Sequence, residues 1–157
     1  MSAIWSVYIL PCVCAFLACV GFTLVFNIHG VGKLICGVGG ALGWLIYLLA
    51  GSTIFAAFLA SAAIGVFSEA MARLRRCPVT GYLLVALLPL VPGGGIYYAM
   101  RYCVSGDTQN FLDTLLHTFG MAAALAVGAM MTSSLFRAAY PHLFRPKSPR
   151  NPPGKGR

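Results

Sequence analysis

Carboxylates are nearly missing from this chain: Glu69, Asp107 and Asp113 are its three acidic side chains in 157 residues. That leaves little for general acid–base catalysis. The sequence also lacks a His-Glu-x-x-His zinc helix, paired intramembrane aspartates, a Gly-x-Ser-Gly nucleophile with a partner histidine, and a phosphate-binding loop. An enzyme is therefore not expected, nor a cofactor, and any transport would draw on a gradient rather than on nucleotide hydrolysis in this chain. Charge of either sign is scarce, at 9% of residues. Hydrophobic residues reach 59% and the mean hydropathy is +0.84, which no water-soluble domain of this size shows.

What is present is apolar sequence in lengths that suit a bilayer, about 20 residues each. Spans are expected at 3–26, 34–50, 53–71, 79–103 and 111–136. The fold class is all-α, a polytopic bundle of five transmembrane helices over residues 1–137, followed by a basic Pro/Gly-rich tail at 138–157. Gly51-Ser52 separates the second and third spans, so these two form a tight antiparallel hairpin. Lys33, Arg73, Arg75, Arg76, Arg137 and the five basic residues of the tail share one face, and Arg101 alone lies on the other. Lys and Arg near span ends are retained in the cytoplasm. The N-terminus is thus expected outside and the C-terminus inside.

Met1-Ser2-Ala3-Ile4-Trp5 has no basic n-region, so the first apolar run reads as a retained span rather than a cleaved signal. The net charge of +8 lies in membrane-edge clusters without interleaved aromatics, which gives no reason to expect nucleic acid. The tail composition is that of a solvated, disordered segment, with anionic lipid as a subsidiary partner. The six cysteines have no metal-ligand spacing and read as small apolar packers. Gly37, Gly39, Gly40 and Gly43 on the second span form small-residue rows that allow close helix approach, and further small residues follow on the third and fifth spans. The dinucleotide-like look of the second-span string is noise, because it follows no strand.

The most informative element lies within the fourth span, at Pro89-Leu90-Val91-Pro92-Gly93-Gly94-Gly95. Each proline removes a donor and obstructs the preceding turn, and the glycines weaken the helix further. Unpaired backbone is tolerated at membrane depth only inside protein or against a wet cavity, and broken helices of transporters bind solute in this way. Pro89, Pro92, Gly93, Gly94 and Gly95 are the candidate solute-binding positions, with Tyr97 and Arg101 following on the same segment. Packing kink and aromatic belt are the plainer readings of these residues. Glu69, four residues before Arg73, fits an interfacial ion pair, or a gating or proton-coupling carboxylate. His117, beside Thr114 and Thr118, is either an interfacial residue or a proton relay.

Four elements resemble one known family: Phe26-Asn27-Ile28, Gly40-Ala41-Leu42-Gly43-Trp44, Ser68-Glu69-x-x-Ala72-Arg73 with Pro78 after it, and Pro89-Leu90-Val91-Pro92-Gly93-Gly94-x-x-Tyr97. Together they look like the threonine/serine exporter family, in the short form similar to the C-terminal half of longer exporters, over roughly residues 20–129. The resemblance implies a bacterial inner-membrane secondary exporter whose five helices join five from a second membrane subunit resembling the N-terminal half. It implies threonine or serine as solute, or in split members the C4-dicarboxylate succinate. Arg101 and the amides of the broken helix would serve the carboxylate of either, and the small-residue faces are where the two subunits would meet. A structural or regulatory subunit with no solute site of its own is the alternative.

Overall fold

The computed structural model describes residues 8–28, 30–75 and 78–139. Among these there is no strand; the α-helices are α1 (Leu10–Val25), α2 (Gly32–Leu49), α3 (Ile54–Arg75), α4 (Val79–Leu87), α5 (Gly93–Val104) and α6 (Thr108–Ala139), with a 3-10 turn at Leu88–Leu90. The expected start of the first span at Ala3, Cys77, and the tail from residue 140 onward lie outside the described residues.

Uniformly apolar sequence carries no helix-stop signal of its own, so the stops come from single residues in the left-handed region. Gly51 (φ 86°) ends α2, where the Ser52 amide donates to Tyr47 O at 3.0 Å and the Gly51 amide to Leu48 O at 3.2 Å. This is the paired 6→1 and 5→2 bonding of a Schellman cap. Gly106 (φ 78°) ends α5 in the same way, and Asn27 (φ 55°) ends α1. The next helix starts at once, because Thr53 Oγ1 accepts from the Ala56 amide and Asp107 Oδ1 from the Asn110 amide, both at 3.2 Å. Each cap holds an otherwise unpaired backbone donor.

α3 and α6 form the central pair, α1 packs on α2, α4 sits against both α2 and α3, and α5 packs on α6. The α3–α6 pair is parallel, since Ile54 meets Gly120 and Gly65 meets Thr132. The seams are made by glycine. A Cβ on Gly37 would fall 2.6 Å from the Phe16 ring of α1, one on Gly40 would land on Cys19 Sγ, and one on Gly128 would lie 2.7 Å from the Phe58 carbonyl oxygen of α3. The small-residue faces expected to meet a second subunit are thus occupied within this chain, because backbone can approach backbone only where side chains are short.

Three helices, α2, α3 and α6, are long and apolar enough to cross a bilayer, and the bent pair Val79–Leu90 with Gly93–Val104 makes a fourth crossing if taken as one span. This is a multi-pass membrane protein. The expected count of five is not reached among the described residues, because α1 has 16 residues there, short of bilayer length. The 32-residue α6 is longer than its neighbours. With Ile54 level with Gly120, the first twelve residues of α6 run about 18 Å past the start of α3, at ~1.5 Å per residue. α5 accompanies them back along that overhang.

Candidate functional site

The helix pair of α4 and α5, a fourth crossing when taken as one span, bends by 46° at Val91-Pro92. Three local rearrangements make the bend. Pro89 carries no N–H for the carbonyl of Val85 one turn earlier, and that oxygen accepts the thiol of Cys19 at 3.3 Å instead. The chain then tightens into the 3-10 turn, with the Val91 amide donating to Leu88 O at 3.2 Å. Pro92, at φ −77° and ψ 57°, is the centre of an inverse γ-turn closed by the Gly93 amide on Val91 O at 2.7 Å. Helix α5 starts there without a side-chain cap. The Ile96 amide reaches Pro92 O, and among the described residues the Gly94 and Gly95 amides have no acceptor. Two donors and the positive end of the α5 dipole are left at the break.

A cavity of about 300 Å³ opens beside them. Its walls are Trp44 and Tyr47 of α2, Ala57 of α3, Met121 of α6, and the break itself from Pro89 to Pro92 with Gly94. The break is halfway along its own crossing but level with the first turns of α3, as Ala57 in the wall shows. α5 is held in place by Gly95, where a Cβ would land on Thr118 Oγ1 of α6, whereas Gly93 and Gly94 have open space around them.

Of the positions expected from sequence, Pro89, Pro92 and Gly94 therefore line one cavity. Gly93 and Gly95 adjoin it on the backbone. Tyr97 and Arg101 are exposed on α5 and are not part of the wall, and His117 is exposed on α6. Glu69 and Arg73 lie at the other end of α3. Ala57 and Glu69 are twelve residues apart, about 18 Å along the helix. There the expected i,i+4 ion pair is formed, Arg73 Nε to Glu69 Oε2 at 3.4 Å, with Glu69 only 3% exposed. Arg73 Nη2 also donates to the Phe136 carbonyl at 3.3 Å and its guanidinium lies 4.9 Å from the Phe136 ring centroid, tying the ends of α3 and α6 together.

Trp44 and Tyr47 were not among the expected site residues. Tyr47 Oη donates to Ser52 O at 3.2 Å across the turn after α2. The Trp44 indole N–H is buried and has no hydrogen-bond partner among the described residues, a state shared with the Ser68 hydroxyl. The sequence held one signal for them, the spacing of Gly40, Gly43, Trp44 and Tyr47 around two adjacent turns of α2. Trp44 and Pro89 also border an open groove of about 320 Å³ shared with Pro11, Cys14, Ala15 and Ala18 of α1.

A multi-pass helical protein with a bent apolar helix pair against a cavity has an architecture in which membrane transporters hold solute. A family model described as threonine/serine exporter (ThrE) matches residues 11–135, most of the chain, and the chain belongs to that family. No curated protein and no solved structure matches it.

Proposed function

We propose that this chain is the small subunit of a two-component secondary exporter, moving small carboxylate-bearing metabolites out across the inner membrane. Threonine and serine, or C4-dicarboxylates such as succinate, are the solutes that fit the reading. The observation that carries it is the pair of unpartnered amides at Gly94 and Gly95, which face the start of a broken crossing beside a cavity of about 300 Å³. Amides at a helix N-terminus bind carboxylates, and pockets for small ligands begin at about this size. Glu69 and His117 remain candidates for proton coupling or gating, and Arg101 for a carboxylate contact outside the cavity.

The second subunit, resembling the N-terminal half of longer exporters, supplies the other wall of the path. The N-terminus lies outside and the C-terminus inside, a direction supported by Lys33, Arg73, Arg75 and Arg137 at one end of the bundle and Arg101 at the other. The basic tail is the segment that would meet anionic lipid.

The test replaces Gly93 and Gly94 together by leucine. Both positions have free space, so insertion and abundance are expected to stay normal while efflux of labelled threonine, serine and succinate from loaded cells is lost. Efflux equal to wild type in that variant would refute the assignment.

A further inference from the structure

Helix α5 and the start of α6 form an antiparallel hairpin that stands beyond the rest of the bundle, and its two sides differ in chemistry. Gly95, Ala99 and Tyr102 turn inward on α5, as do Phe111, Thr114, Leu115 and Thr118 on α6. The residues that follow these, Ile96, Met100, Cys103, Leu112, Leu116 and Phe119, lie about 100° further round each helix. Because the helices are antiparallel, that step brings both rows to one side of the pair. All six are exposed, the five besides Cys103 by 48% (Leu112) to 68% (Leu116). The residues that precede the inward ones, Tyr98, Arg101, Asn110, Asp113 and His117, lie on the opposite side. That is the side of the cavity, whose wall includes Gly94 and Met121.

Lipid does not reach most of the apolar side. With 22 residues, α3 covers about 33 Å, enough for a hydrocarbon core of about 30 Å. The hairpin begins where α3 does, since Gly95 meets Thr118 and Gly120 meets Ile54. A bilayer shifted outward to cover it would leave the exposed Val25, Leu34 and Val66 of α1, α2 and α3 in water. An uncharged row on each of two helices, held in water, is half of a four-helix bundle.

We propose that two copies of this chain pair through this side, the α5–α6 hairpin of each completing a four-helix bundle outside the bilayer. The face fits its own copy, because Arg101 and Asp113 lie behind it and no like charges are buried when it meets itself. Antiparallel helices that each carry one row also match themselves about a two-fold axis. The face is about 18 Å long and about 20 Å wide, roughly 360 Å², against about 800 Å² per partner in a stable soluble complex. Pairing therefore depends on both copies being held in one membrane. The inference uses the side turned away from the cavity and stands apart from the export reading.

The test uses two differently tagged copies of the full chain, co-expressed in cells and treated in the membrane with a bismaleimide that reacts at Cys103. A cross-linked product carrying both tags is expected, and its loss in Cys103→Ser. Leu112→Glu in both copies sets like charges against each other and should cut the yield several-fold at unchanged membrane abundance. Leu112→Glu in one copy with Leu112→Lys in the other should restore it, and Asp113→Lys, on the opposite side, should leave it as in wild type. The proposal is overturned by the lack of a doubly tagged product, by one that persists in Cys103→Ser or is indifferent to Leu112→Glu, by an equal loss in Asp113→Lys, or by cross-linking of Cys103 to a different chain instead.

Discussion

The thiol of Cys19 on α1 donates at 3.3 Å to the carbonyl of Val85 on α4, the oxygen that Pro89 leaves without its helical donor. The break in the fourth crossing is therefore supported from a helix 66 residues earlier in the chain. Gly40 of α2 makes room for the sulfur, since any Cβ there would occupy its position.

Replacing Cys19 by alanine should leave the Val85 carbonyl buried without a donor and open a small void beside Gly40. The expected loss is about 1–3 kcal/mol, the usual range for an orphaned buried polar group. Serine at the same position keeps a donor and should recover part of it. Thermal unfolding of the detergent-solubilised protein measures both, and equal stability of Cys19→Ala and wild type would show the thiol to be irrelevant to the break.

Glycine-to-alanine changes should separate by position rather than by sequence neighbourhood. Gly128→Ala drives a Cβ toward the Phe58 carbonyl, backbone that cannot rotate away, and Gly95→Ala drives one into Thr118. Both should weaken the fold by about 1–3 kcal/mol, the range for overpacking. Gly94→Ala meets nothing within 4 Å and should unfold within a degree or two of wild type. A uniform response across the three, read as melting temperature, would contradict the packing described.

The Glu69–Arg73 pair should respond asymmetrically. Arg73→Ala strands a carboxylate that is 3% exposed and removes the tie to Phe136, so a loss of about 3–5 kcal/mol is expected. Glu69→Gln leaves a neutral hydrogen-bonding group and should cost less. The double variant Glu69→Gln with Arg73→Ala should be more stable than Arg73→Ala alone, because no buried charge then lacks a partner. A double-mutant cycle on chemical denaturation reads the sign directly.

Much of the candidate site was legible locally. Two prolines within four residues and three glycines after them dictate lost helical bonds wherever they fall, and the bend appears at Val91-Pro92 as those residues require. Spacing likewise placed Arg73 one turn beyond Glu69. What could not be read was the cavity's other wall. Trp44, Tyr47, Ala57 and Met121 come from three helices, and no local rule says which faces of those helices turn toward Pro89. Tyr97 and Arg101 show the same limit in reverse, close to the break in sequence yet exposed on α5.

In water, hydrophobicity tells inside from outside; in a bilayer it does not, because lipid chains are as apolar as a protein core. Leu125 is buried and Leu116 is 68% exposed on one and the same helix. Composition and the placement of Pro and Gly by themselves determined that the chain is helical, that it enters a membrane, and where one of its helices breaks. Only the tertiary structure decided how many crossings are long enough, that the glycine rows are packed within the chain, and that a thiol and an indole from distant helices flank the break. Those outcomes depend on which short side chains let two backbones meet, and that is a property of pairs of helices rather than of any one segment.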